Sequence, residues 1–379
     1  MMTLRYADND YLLPPPYHLD DMDVIGFWLS GKAGKIEQFI KSHLNLGGSS
    51  TFTLLTELPA QGAGQILGPT LGGLVAELLG IEDLAAANDQ LDYPVLLTIH
   101  QIGRMYSAAI MPDGSSLSDR GYFSYNEAIF WVPGVERETG VPFIANVLDG
   151  DLPPPLLYIP LLIADEPLAV AGGREIFGLP KRQGEIEIPA ALDHRTRAAT
   201  PLHQLLDGKE IKLKTSVVPS YHRNSRGTVD SILDITFNTA VDQVGTTNVA
   251  SDWASLLADI VSMAADLSEV ITDSNVLERL IANIVSALAR YIPVVALKQF
   301  RQGITDYGTP SYTSVNKMTY EINFHEGHVI RGLTIHAKPH IYPNISLTEM
   351  LGIAEQDVNT AFQVKLSGEL AGSIEDKLS

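Results

Sequence analysis

Apolar and polar residues alternate in short runs through most of this chain, with Pro, Gly and Asp between the runs. That pattern predicts β-strands, each with one face turned to a core. The runs are Tyr93–Ile102, Arg104–Ile110, Tyr122–Val132, Val141–Leu148, Leu156–Ile163, Leu168–Ala171 and Gly184–Ile188, then Glu210–Pro219 and Ser231–Thr239. After a break they resume in Val294–Arg301, Tyr312–Phe324 and His328–His340. Strands this short and this regularly spaced point to a barrel or sandwich, not to a parallel sheet with crossover helices.

Helical spacing interrupts the pattern in four places. A short strand from Val24 leads into a helix with Ile36, Phe39, Ile40 and Leu44 on one stripe, stopped by Gly47-Gly48. Leu71, Leu74, Val75, Leu78 and Leu79 mark a helical insertion at approximately 58–92. A second insertion, approximately 250–293, carries Trp253, Leu256, Leu257, Ile260 and Val261, then Val276, Leu280, Ile281, Ile284 and Leu288. The tail from Ser346 predicts a fourth helix, capped by Ser346 or Thr348. Residues 1–23 read as an irregular arm. The expectation is one domain over 1–379, mainly β, with two helical insertions.

Composition narrows the partners. Of 379 residues 45% are apolar, enough for a large core. The formal charge of −19 speaks against nucleic acid or an anionic membrane as a partner, because both need clustered Lys and Arg. The absence of cysteine removes disulfides and thiolate chemistry. No basic leader and no unbroken apolar stretch of membrane-spanning length is visible, so a cytoplasmic protein without a membrane span is expected. The apolar, Gly-rich helix of the first insertion suits packing on a neighbouring element or a partner subunit, with a lipid-facing or substrate-lid role as the alternative, and a homo-oligomer is expected. His336 and His340 could share a strand face, but no third ligand is apparent and no metal site is expected. GxSxG, P-loop and GxGxxG motifs are absent.

The candidate chemistry sits between Ala164 and Gly184, where an apolar run ends at Gly172-Gly173, Arg174-Glu175 follows, and Pro180 presents Lys181 and Arg182. A lysine beside a fixed cation tends to lose its proton, since each charge raises the cost of the other, and burial among residues such as Phe177, Leu179 and Ile163 acts in the same direction. A neutral amine attacks carbonyl compounds and forms a Schiff base.

The order Glu166-Pro167, Gly173-Arg174-Glu175, Pro180-Lys181-Arg182 resembles a segment of acetoacetate decarboxylase and its relatives, an established example of this lysine tuning. Leu297-Lys-Gln-Phe-Arg301 looks like another segment of that family. The resemblance covers roughly 93–240 and 294–345. It implies an acetoacetate decarboxylase-like double-psi β-barrel core, with Lys181 as the Schiff-base lysine and Arg182 as its neighbouring cation. Glu127, in Tyr125-Asn126-Glu127, takes the place of an essential glutamate. The sequence departs from the family in two places. No arginine lies around Asp21–Phe27, and the early strand Leu96–Ile102 offers Thr98, His100 and Gln101 where the family has an acid. Arg104, His100 and Gln101 are therefore the candidate substrate-binding residues. The implied activity is that of a carbon–carbon lyase, a decarboxylase acting on a small keto acid through a lysine imine, with no dissociable cofactor. Aldol condensation and dehydration through the same lysine, or a non-catalytic barrel that binds a small molecule, are the alternatives.

Overall fold

Sixteen residues of nearly uninterrupted burial, Tyr17–Lys32, form the first strand, β1, rather than the tail of an irregular arm. The computed structural model describes residues 14–46, 50–54, 91–111, 113–138, 155–193, 208–216, 229–239, 248–249, 254, 256–260, 291–302, 306–341 and 345–377. After β1 come α1 (Ala33–His43), β2 (Ser50–Thr53), β3 (Asp92–Ser107), β4 (Phe123–Glu138) and β5 (Pro155–Ala164). Next are α2 (Pro167–Gly172), a π turn (Gly173–Phe177), β6 (Lys181–Glu187), β7 (Lys209–Ser216), β8 (Val229–Thr239) and β9 (Asn248–Val249). The chain continues through β10 (Tyr291–Gln302), β11 (Asp306–Pro339), α3 (Leu347–Leu351) and β12 (Gln356–Lys377).

The fold is mainly β. Nine strands close on themselves in the order β5-β6-β7-β8-β11-β12-β1-β3-β4, with β4 pairing back to β5. Closure removes sheet edges, so backbone groups at depth find ladder partners. Strand β10 adds a second connection, parallel to β5 on one side and antiparallel to β11 on the other.

Four further elements differ from expectation. The tail beyond Ser346 is helical only over Leu347–Leu351, where the Ser346 hydroxyl accepts from the Glu349 N–H. It then becomes β12, a 22-residue strand between β1 and β11. The cap signal was genuine but local; the alternation of Phe362, Val364 and Leu366 with polar neighbours wins afterwards. Leu168–Ala171 lies in α2 and not in a strand, because the Glu166 carboxylate caps the Leu168 N–H and Pro167 occupies the first turn. Tyr93–Ile102 and Arg104–Ile110 merge into β3, whose register shifts between Ile102 and Met105 where Gly103 lies against Asp21. The two late runs merge into β11, 34 residues long. Val141–Leu148, and nearly all of both helical insertions, lie outside the described residues.

Strand alternation builds two hydrophobic cores on opposite faces of the same strands. Ile25, Phe27 and Leu29 of β1 enter the first, which fills the nine-stranded ring; Phe27 meets Phe237 of β8 edge-on, centroids 6.4 Å apart. Ile36 and Ile40 of α1, with Leu347 and Leu351 of α3, join this core. Met22, Val24 and Trp28 enter the second, between β1, β3, β4, β5 and β12 and a cover made of β10, the first half of β11, α2 and the π turn. Trp28 also donates to the Ile260 carbonyl at 2.7 Å, docking the helical residues 256–260. Each large side chain so buried contributes about 1.5–3 kcal/mol.

Candidate active site

Lys181 opens β6 opposite Leu162 of β5, which sets its side chain on the face of Leu162 and Ala164, toward the second core. The loop before it is tightly held. Gly178, at φ 74°, occupies the left-handed region that ends the π turn, and its N–H bonds the Arg174 carbonyl. The Lys298 ammonium donates to the Ile176 carbonyl at 3.1 Å, and the Asn316 amide donates to the Phe177 carbonyl at 3.0 Å. Ser314, itself fully buried, donates to the Asn316 side-chain oxygen at 2.8 Å. Gly173 lies flat against the lysine stem: a Cβ there would sit 2.5 Å from Lys181 Cδ.

Two strands away, Glu127 faces the same layer, its register partner on β5 being Ala164. Lys181 Nζ donates to Glu127 Oε2 at 2.9 Å, and the two residues are only 7% and 5% exposed. The amine also lies 5.4 Å from the centroid of the Tyr125 ring, on the same face of β4. The Tyr125 hydroxyl bonds to Glu127. On β3, His100 pairs with Glu127, with Nδ1 3.8 Å from Oε1, just beyond hydrogen-bond reach. His100 Nε2 is 2.9 Å from Thr98 Oγ1, which accepts the Trp131 indole N–H at 2.7 Å. From β11, Tyr320 reaches the Met22 sulfur with its hydroxyl at 3.2 Å.

Burial and charge compete here. Burial pushes the Glu127 carboxyl up, but the charge of Lys181, the nearness of His100 and hydrogen bonds from Lys181 and Tyr125 outweigh it, leaving the group below the ordinary carboxylate range. Burial pulls His100 down to about 4, against the attraction of Glu127 and reinforced by Lys181, so its ring is neutral near pH 7. Tyr125 and Tyr320 are raised, first by burial and then by the Glu127 charge, and stay protonated. The site is thus one buried ion pair surrounded by neutral hydrogen-bonding groups.

Of the residues singled out in the sequence, Lys181, Glu127 and His100 come together. The others do not. Arg182 alternates to the opposite face of β6 with Ile186, where it is exposed; the cation nearest it in effect is Arg174, which with burial lowers its pKa. Arg174 and Glu175 sit on a π turn, not an extended segment, and both are exposed. Arg104 is exposed and held by Asp20 at 3.4 Å and Asp21 at 3.0 Å. Gln101 is buried on the face opposite His100, in register between Asp23 and Asn126. Tyr125, Trp131, Thr98 and Tyr320 were not assigned roles from the sequence; the first two share the strand face of Glu127 at spacing two, a signal that alternation carries. His336 is bound by Glu355 and Asp357, and among the described residues no three His, Asp or Glu side chains gather to hold a metal. Among them, too, no helix is long and apolar enough to cross a membrane.

No protein-family model and no curated protein sequence matches the chain. Solved structures of similar fold include acetoacetate decarboxylase from Legionella pneumophila, at 11% identity and TM-score 0.49, covering 98% of this chain and 90% of that one. The enduracididine biosynthesis enzyme MppR, complexed with the condensation product of pyruvate and imidazole 4-carboxaldehyde, gives 12% and 0.48 over 98% and 92%. An acetoacetate decarboxylase-like enzyme from Sphingomonas wittichii RW1 gives 9% and 0.47 over 97% and 96%. Likeness at this distance carries nothing about chemistry, which rests on the side chains described above.

Proposed function

We propose that the chain is a lysine-imine enzyme, a carbon–carbon lyase that decarboxylates a small keto acid in the manner of acetoacetate decarboxylase. The observation that carries this reading is the contact of Lys181 Nζ with Glu127 Oε2 at 2.9 Å, both side chains almost wholly buried. Burying an ion pair costs several kcal/mol per charge before the pair recovers it, so a lysine kept there for packing alone is a poor bargain. Reactivity is the better account.

Glu127 takes the proton that the Lys181 ammonium must lose before attack and returns it to the departing hydroxyl of the carbinolamine. Ammonium and ketone thereby become iminium and one water, with no net change in protons. In a β-keto acid, the bond to the carboxylate then breaks, its electron pair moves toward the iminium nitrogen, CO2 leaves and an enamine remains. Protonation of the enamine carbon and addition of water release the ketone and restore the lysine. Arg182 and Arg104, expected near the reaction, face away from the amine and have no part in these steps.

Treatment with acetoacetate or pyruvate followed by borohydride is expected to leave a reduced adduct on Lys181, located by peptide mass. Lys181→Ala, confirmed folded by circular dichroism, is expected to give neither adduct nor turnover. Wild-type protein without an adduct, or a folded Lys181→Ala variant that still turns over, overturns the proposal. An adduct without CO2 evolution moves the reading to aldol chemistry on the same lysine.

A further inference from the structure

The hydrogen bonds around His100 go further than its presence in the site. An indole N–H can only donate, and Trp131 gives its proton to Thr98 Oγ1 at 2.7 Å. The threonine then has one hydroxyl proton of its own to place, and His100 Nε2 lies 2.9 Å away. If Thr98 donates, Nε2 is the acceptor nitrogen and the ring proton sits on Nδ1, on the side of Glu127 Oε1. If instead Nε2 carried the proton, the hydroxyl hydrogen would lack an acceptor among the described residues, and a bare Nδ1 lone pair would face a carboxylate. Both consequences are costly in a buried place. The Nδ1–H tautomer avoids both, leaving only the ring N–H, 3.8 Å from Glu127 Oε1, without an acceptor among the described residues.

We infer that Trp131 and Thr98 set His100 in the Nδ1–H tautomer, making it a neutral donor for the oxygen of a carbonyl compound bound at Lys181. Trp131 and Thr98 are positioning residues; of these three residues only His100 touches the reacting oxygen. Nδ1 is buried, and no hydrogen-bond acceptor within reach claims it among the described residues. The charged groups acting on the ring are Glu127 from β4 and Lys181 from β6. A ring that stays uncharged adds no second cation to the pocket, and the donor survives from one end of the imine cycle to the other. The donor role rests on the lysine-imine reading, whereas the tautomer stands on the hydrogen bonds alone.

Long-range proton–nitrogen NMR correlation of the His100 ring in the full chain at pH 7 separates the two questions. The expected signature is a protonated Nδ1 and an unprotonated Nε2. Thr98→Val, which removes the hydroxyl at nearly constant volume, is expected to shift the ring toward Nε2–H, and Thr98→Ser to restore the wild-type pattern. A wild-type ring protonated at Nε2 overturns the assignment. In borohydride trapping with acetoacetate, Thr98→Val is expected to slow adduct formation at least about tenfold, with Thr98→Ser close to wild type. Thr98→Val trapping at the wild-type rate while its ring has shifted overturns the donor role. A wild-type protein that shows Nδ1–H but never traps refutes the lysine reading, and with it the donor role, while leaving the tautomer assigned.

Discussion

Among the described residues the two cores share seven strands and differ in almost everything else. On one face of β1, β3 and β4, Phe27, Leu97 and Phe130 pack into the interior of the nine-stranded ring, sealed and apolar. On the other, the same strands present Val24, His100 and Glu127, and β6 adds Lys181. The first face is apolar and the second holds the buried ion pair of Lys181 and Glu127, and strand alternation keeps them apart: a slip of one residue in β4 would put Asn126 where Glu127 belongs. Asn126 itself illustrates the division, since its backbone and side-chain N–H groups both bind Asp165 at 2.8 Å, tying β4 to the end of β5 behind the face of Lys181 and Glu127.

The comparison can be broken first where it predicts the largest effect. Phe237→Ala empties a fully buried ring from the first core, and chemical denaturation should show a loss of about 3–5 kcal/mol. The protein that remains folded should trap keto acids at the wild-type rate; a parallel loss of trapping would mean that the two cores are not independent.

The next effect belongs to the second core and is read as pH dependence. The His100 ring has an ordinary value of 6.5 and is held at about 4 in the fold, so below pH 6.5 the unfolded chain binds a proton that the folded chain refuses. Stability should therefore fall as pH drops from about 6.5 to 4, by an amount that reaches about 3 kcal/mol at the acid end. His100→Gln, which cannot titrate, should flatten that part of the curve in denaturation series across pH.

Two glycines near the lysine sharpen the contrast. At Gly173 the backbone is α-helical and accepts alanine, but the added methyl meets Lys181 Cδ and Cε, the movable end of the residue. Gly173→Ala should cost about 1–3 kcal/mol of packing and misplace the amine, so that imine trapping falls much further than stability. Gly184 lies on the opposite face of β6, where a methyl would strike the Lys214 carbonyl and Ile163. Gly184→Ala should reverse the pattern, with melting temperature falling more than trapping. The smallest effect is expected at Asn316→Ala, which removes the hydrogen bond to the lysine loop and the one received from Ser314: about 1–2 kcal/mol in stability, with a lower trapping rate.

Much of this site was legible in the chain. Lys181 and Glu127 stood out from their local motifs, and His100, with Thr98 and Gln101, from the early strand Leu96–Ile102 where the resemblance expects an acid. The role first assigned to Arg182 did not survive placement, because neighbours on an extended strand point to opposite faces, and adjacency in sequence is then separation in space. Arg104 fails for another reason: two aspartates of β1 claim it, and Asp20 is its register partner across the β1–β3 ladder. The clamp of Lys298 and Asn316 joins residues more than a hundred positions apart and leaves no local pattern to read.

What the amino-acid order determined alone is the β character, the alternation that gives each strand two distinct faces, and a lysine loop punctuated by Gly173, Gly178 and Pro180. These are properties of short-range sterics and periodicity. Which face closes on which, and therefore whether the second charge near Lys181 is a cation or a carboxylate, only the tertiary structure decided. Electrostatics depends on distance through space, and ring closure brings Glu127 within 2.9 Å of an amine 54 residues later while strand geometry turns Arg182 away.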